Sequence, residues 1–147
     1  MNNQYLQDLI FDRTIADVQN LTDKAYIDYK DLNRVEMAIM WVSYVLNQYG
    51  YRNVTNNKVN WKPGDHRTDT EMERLRKNIV SIRTAFFAHN ETPVTPSKIT
   101  YTSIYQANAI EQIIYDIGTI VENMTPGQQH LSFRLGTAPI GNRGEKI

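Results

Sequence analysis

The chain has no cysteine, which excludes disulfides, zinc thiolate centres and thiol nucleophiles together and leaves packing as the source of stability. It also lacks an excess of either charge. Sixteen Lys and Arg balance 16 Asp and Glu, so no overall field gathers nucleic acid, an acidic membrane surface or a charged substrate, and such a partner would need a local patch. Long apolar runs are missing: no stretch approaches the roughly 20 residues that span a bilayer. The polar start, Met1 to Ile10, has neither the basic head nor the apolar run of a signal peptide. A soluble protein that stays where it is made, with no membrane partner, is expected. No Gly-rich phosphate loop, serine-nucleophile elbow or paired-carboxylate motif occurs. The three histidines, His66, His89 and His130, sit at no metal-ligand spacing. Neither a catalytic centre nor a cofactor or metal is expected.

What is present is helical periodicity. With 147 residues, 41% of them hydrophobic, the chain can bury one sizeable core. Leu32, Val35, Ile39, Val42, Leu46 and Tyr49 recur at alternating spacings of three and four, which predicts one face of a helix from about Asp31 to Tyr49, capped by Asp28 or Asp31 and ended by Gly50. Thr68-Asp69-Thr70-Glu71 has capping-box spacing and predicts a second helix from Asp69 to near Asn90, striped by Met72, Leu75, Ile79, Ile82 and Phe86. A third, from near Thr100 to about Met124, carries Ala107, Ile110, Ile114, Ile117, Val121 and Met124, widened by Ile113 and Ile120. Gly118 lies within it at a cost of about 1 kcal/mol relative to alanine, and either permits a close helix crossing or is tolerated by chance.

Tyr51 to Asp65 reads as a short extended arm or hairpin ending in the turn Lys62-Pro63-Gly64-Asp65. The Pro-bearing link Thr92 to Ser97 is compact enough to join antiparallel neighbours. Asp12 to Leu21 predicts a short helix whose apolar side, Ile15, Val18 and Leu21 or Phe11, packs across one end. Beyond Pro126, Leu131, Phe133 and Leu135 alternate with polar residues at strand spacing, ahead of a Gly-rich tail. The expected architecture is all-α: an N-terminal segment over 1–27, an antiparallel three-helix bundle over 28–124, and an extended tail over 125–147.

The polar residues within these helices admit two kinds of role. Asn33, Arg34 and Glu36 in the first helix, with Asn108 and Glu111 in the third, would fix interhelical register if they meet, and an active-site reading of Arg34, Glu36 and Glu111 is the alternative. Arg74, Arg76, Lys77 and Arg83, with Arg67, are the candidate phosphate contacts, against a solvated face shared with Asp69, Glu71 and Glu73. Tyr49, Tyr51 and Trp61 are candidate interface aromatics.

Several separated motifs occur in a fixed order: Phe11-Asp12-Arg13-Thr14, Tyr29-Lys30-Asp31-Leu32-Asn33-Arg34-Val35-Glu36, Met72-Glu73-Arg74-Leu75-Arg76-Lys77-Asn78, and Gln106-Ala107-Asn108-Ala109-Ile110-Glu111. With the Trp61 segment and the Pro93 and Pro96 link, this order resembles a helical module of virion structural proteins in phages and prophages of Gram-positive bacteria, over about residues 11 to 124. The resemblance implies a tail, baseplate or fibre-associated virion component, made in the host cytoplasm. Its partners would be other virion proteins and copies of itself, with no catalytic residues to transfer. The strand spacing of Leu131, Phe133 and Leu135 suits a docking strand added to a neighbour, and the alternative is a strand that folds back on its own bundle or pairs with the Val54 to Trp61 arm. A receptor-binding module using Tyr49, Tyr51 and Trp61 is the first rival, and a nucleic-acid accessory protein the second.

Overall fold

The computed structural model describes residues 4–86 and 92–123, and every described element is helical. The elements are α1 (Gln4–Gln7), α2 (Ile15–Gln19), a 3-10 turn (Asp23–Ala25), α3 (Tyr29–Gln48), α4 (Asp69–Ala85) and α5 (Ile104–Glu122). The strand pattern of Leu131, Phe133 and Leu135, like His89 and His130, lies outside the described residues.

Each long helix begins where a side chain can take a free backbone N–H. Asp28 caps α3, and Asp31 returns the bond to the Asp28 N–H, a reciprocal capping box. Thr68 caps α4 through the Glu71 N–H, but the Glu71 carboxylate turns to Arg74 and completes no box. α5 starts at Ile104 rather than Thr100, because the Thr100 and Tyr101 N–H groups both donate to Gln106 Oε1 and Tyr101 adopts φ +58°. Ser103 then caps the helix. α3 stops at Gln48, just ahead of Gly50, whose φ of +92° is a conformation that a residue without Cβ adopts freely.

The three apolar stripes form one core. Leu32, Val35, Ile39, Val42 and Leu46 of α3 meet Met72, Leu75, Ile79 and Ile82 of α4 and Ala107, Ile110, Ile114, Ile117 and Val121 of α5, all buried. Each fully buried Ile or Leu contributes about 1.5–3 kcal/mol. α3 is the shared element: α4 and α5 each pack along it more closely than they approach each other.

The helices are not antiparallel. Near the starts of α3 and α4, Glu36 pairs with Arg74; just past their ends, Tyr51 and Phe86 stack edge to face at 5.0 Å. Ile99, shortly before α5, lies beside Asp69 and Met72 at the start of α4, while Thr92, shortly after α4, bonds Asp116 in the later half of α5. All three long helices therefore run the same way, and the chain returns between them in extended crossovers. In the second link Pro93 and Pro96 fix φ near the extended region, which suits an extended return as well as a tight turn.

The first crossover is neither a free arm nor a hairpin. It runs back between α3 and α4: Asn47 of α3 holds Asn53, Glu36 holds Lys58 and Asn33 holds Trp61, while Ser81 and Asn78 of α4 hold Val54 and Asn56. Two further expectations need correction. The apolar side of α2 faces outward, with Ile15, Val18 and Leu21 exposed, and only Phe11 packs inward, against Tyr115. In the polar start, where no helix is expected ahead of Asp12, α1 puts Leu6 against Gly118, where a Cβ would lie 2.5 Å from Leu6 Cδ2. Gly118 thus admits a short amino-terminal helix to the face of α5.

Candidate functional site

Two buried carboxylates organise the polar interior. Glu111, fully buried, accepts from Ile10 N–H (2.8 Å), Arg13 Nη2 (2.8 Å), Arg34 Nε (3.0 Å) and Arg34 Nη2 (2.9 Å). Asp31 accepts from Arg34 Nη2 at 2.6 Å and Arg13 Nη2 at 3.2 Å. Arg13 spends its remaining donors on the Lys24 and Ile10 carbonyls and on Asn108 Oδ1. Two guanidinium groups against two carboxylates leave this cluster neutral, which makes its burial tolerable. Burial works against the charge on Arg34, but hydrogen bonds and attraction from Glu111, then Asp31, hold its pKa above the ordinary value.

Tyr101 borders this cluster. It is fully buried, and its hydroxyl has no hydrogen-bond partner among the described residues. Burial first, and the Glu111 charge second, push its pKa well above the usual tyrosine range.

The second centre is Glu36, also fully buried, which accepts from Arg74 Nη1 (2.6 Å) and Nη2 (2.8 Å), Trp61 Nε1 (2.7 Å) and Lys58 N–H (2.8 Å). This bidentate pair is the strong form of an arginine–carboxylate contact. Hydrogen bonding to Glu36 raises the pKa of Arg74 against the effect of burial, and Glu71 adds to it.

Four asparagines share one geometry that the spacing of the sequence does not reveal. Asn33 takes both the N–H and the C=O of Trp61, Asn47 those of Asn53, Asn78 those of Asn56, and Asn108 those of Arg13. A side-chain amide offers the donor and acceptor of a peptide group, so each asparagine replaces the partner that a neighbouring strand would supply. Extended segments thereby satisfy their backbone against helices, without a sheet.

The sequence candidates divide between the two centres rather than meeting at one. Arg34, Glu111 and Asn108 join at the first, while Asn33 and Glu36 belong to the second. Arg13 and Trp61 complete them, and neither was singled out for that part; the oddity of an arginine between Phe11 and Ile15 was the available signal. Trp61 is 3% exposed, with Lys58 Nζ 4.3 Å from its ring centroid, and Tyr49 and Tyr51 are half-buried against the core, so the three aromatics form no solvent-facing patch. Of the basic residues, Arg74 is held by Glu36 and Glu71, Arg76 by Glu73, and Arg83 by the Pro93 and Thr92 carbonyls. No group of three or more potential metal ligands occurs among the described residues, and none of their helices is long and apolar enough to cross a membrane.

In chemical terms both glutamates are acceptors saturated by arginine and backbone donors, with the Trp61 indole added at Glu36, an arrangement for holding segments together. No family model matches the sequence, and the comparisons with curated proteins and with solved structures find no match.

Proposed function

We propose that this chain is a non-enzymatic structural or assembly protein of a phage tail or baseplate, docking to neighbouring subunits through its helical faces and through the residues beyond Pro126. One observation carries the reading. The motif residues on which the resemblance rests include Arg13, Asn33, Glu36, Arg74, Asn78, Asn108 and Glu111, which strap extended segments onto the helices, and Arg34, which ties α3 to α5. A pattern whose members are consumed in holding the chain together fits a scaffold module better than a catalyst. On this reading the helical block is rigid and the Leu131, Phe133 and Leu135 pattern is the docking strap, a role that rests on the sequence alone.

A cryo-EM map of the intact particle tests it. Density for the block at a symmetric tail or baseplate position is the expected result, and absence of any copy from the particle overturns the proposal. A recognition module is the second reading. A groove of about 380 Å³ in which Tyr26, Tyr29 and Trp61 stand among Asp28, Asp65 and Arg67 favours it, since a concave site with convergent polar groups suits ligand binding. Binding to host envelope material that is lost in Tyr26→Ala would move the function there. Nucleic-acid binding is disfavoured because Arg74, Arg76 and Arg83 already have protein acceptors.

A further inference from the structure

The amino-terminal segment is attached to the helices through its first half. Leu6 fills the notch at Gly118, the Ile10 N–H donates to Glu111, Phe11 meets Tyr115, and Arg13 is held by Asp31, Asn108 and Glu111. α2, which follows, contributes no buried residue. The chain then turns at Leu21, whose φ of +55° is costly for a residue with a Cβ. Such strain persists only where the surroundings over-determine it, and it clusters at switch regions. Leu21 is 88% exposed, so little surrounds it. Val18 and Tyr26, also exposed, flank the same turn, with Ile15 beside Val18 on α2.

We propose that residues 4–20 exchange between two copies of the chain by opening at Leu21, each copy's segment filling the groove between α3 and α5 of the other. The inference rests on the assembly reading and deepens it by naming a surface and its occupant. The groove selects that occupant. It cannot be left empty, because without Arg13 the buried carboxylates of Glu111 and Asp31 would share Arg34 alone. Whatever replaces the segment must bring a guanidinium, a backbone N–H for Glu111 and an apolar side chain for the Gly118 notch, all at the spacing of Arg13, Ile10 and Leu6. The same segment of a second copy remakes every one of these bonds, so exchange loses none of them. It also lets Leu21 of both copies leave positive φ. Reciprocal exchange about a twofold axis brings the two turns together and covers Ile15, Val18, Leu21 and Tyr26, which the closed chain leaves in water. The charges beside them are answered: Lys24 Nζ, 3.4 Å from Asp12 and 3.5 Å from Asp17, bridges the turn and would join the two copies, while Asp23 stays at the exposed rim. Opposing exchange is the tether, which holds each segment beside its own groove at an effective concentration on the order of millimolar. The closed chain therefore prevails when dilute, and the exchanged pair when concentrated.

Sedimentation velocity of the full chain after refolding from urea at about 10 µM and at about 1 mM, below and near that effective concentration, should show monomer at the first and a dimer share at the second. Leu21→Gly, which takes positive φ freely in both turns, should weaken dimerisation by at least about tenfold. Leu21→Val, whose branched side chain tolerates that φ least, should strengthen it, with helical circular dichroism unchanged in both variants. Simple association of exposed apolar side chains predicts the opposite order for leucine and valine. The cysteine-free sequence allows a second readout. Leu6→Cys and Gly118→Cys chains, with one cysteine each, are refolded together and oxidised. The Leu6 side chain lies close enough to the Gly118 position for a disulfide, and the bond can form only between copies. A covalent heterodimer should appear faster than from Leu6→Cys mixed with Val54→Cys, a cysteine placed at an exposed position of the first return. A parent chain monomeric after refolding at the higher concentration, a dimer share that falls from leucine to valine, or crosslinking no faster than with Val54→Cys would each overturn the proposal. Because these readouts concern the isolated chain, a failure here is separate from a failure to find the protein in a particle.

Discussion

Two extended segments lie against the helices, and they are held in different ways. Ile10 to Arg13 is gripped by Asn108 and Glu111 of α5; the return from Asn53 to Trp61 is gripped by Asn33, Glu36 and Asn47 of α3 and Asn78 of α4. Each uses a buried glutamate and asparagines that mimic a strand. In the first, however, the segment itself brings a charge, the Arg13 guanidinium, to balance Glu111 and Asp31. In the second the balancing arginine comes from α4, and the return contributes only neutral donors, Lys58 N–H and Trp61 Nε1. Detaching the return would leave Glu36 still paired. Detaching the amino-terminal segment would leave two buried carboxylates facing Arg34 alone. Attachment by charge is therefore all-or-none, whereas attachment by neutral bonds can loosen locally.

The largest test of that difference is Glu111→Gln. It preserves shape but leaves Arg13 and Arg34 facing only Asp31, and breaking a buried pair in this way costs about 3–5 kcal/mol. Urea unfolding should show a loss of that size, with hydrogen exchange over residues 4–13 rising alongside it; a loss below about 1 kcal/mol would remove the distinction between the segments. Glu36→Gln should cost less, about 1–3 kcal/mol. The Arg74 side chain is 17% exposed and keeps Glu71, and a glutamine oxygen still accepts from Trp61 Nε1. Its signature is local, a shift in Trp61 fluorescence. Equal losses for the two variants would mean that the origin of the arginine is irrelevant.

Gly118→Ala sharpens the comparison at the amino-terminal end. Alanine favours the helix by about 1 kcal/mol, but its Cβ would displace Leu6, and overpacking of this kind costs about 1–3 kcal/mol. A net loss near 1 kcal/mol is expected, with loss of exchange protection confined to α1. In a Leu6→Ala background, which carries its own loss of burial, Gly118→Ala should instead stabilise by the propensity gain, and failure to do so would mean that Leu6 is not the obstacle.

Helices were the legible part of the sequence, because three-four stripes at Leu32 to Leu46, Met72 to Ile82 and Ala107 to Val121 are core faces and record themselves in periodicity. Direction was not legible. A stripe is the same whether its helix runs up or down, and Pro93 and Pro96 are compatible with a turn or with a return. The Asn33, Arg34, Glu36, Asn108 and Glu111 set was visible as polar residues inside helices, yet their assignment to two centres depends on Arg13 and Trp61, which arrive from segments with no period. α1 was hidden for the opposite reason: its four residues are too few to show a stripe, and its site is recorded only as a glycine in another helix.

The smallest effect concerns the wall of the first cluster and has the opposite sign. The buried Tyr101 hydroxyl has no partner among the described residues, so folding buries it without a hydrogen bond from any of them. Tyr101→Phe removes that cost and should stabilise the fold by up to about 1 kcal/mol. The pH dependence follows from the same burial. The folded chain holds the Tyr101 proton more tightly than the unfolded chain does, so the stability linked to this group is complete below the ordinary value of 10.0 and is lost as pH rises above it toward the raised folded value. Unfolding in urea at pH 8 and again at about pH 11 should show an alkaline loss in the parent that is smaller in Tyr101→Phe. A destabilised Tyr101→Phe variant with an unchanged alkaline loss would mean that the hydroxyl has a partner after all, and that the neutral balance of Arg13, Arg34, Asp31 and Glu111 extends one residue further than those four side chains.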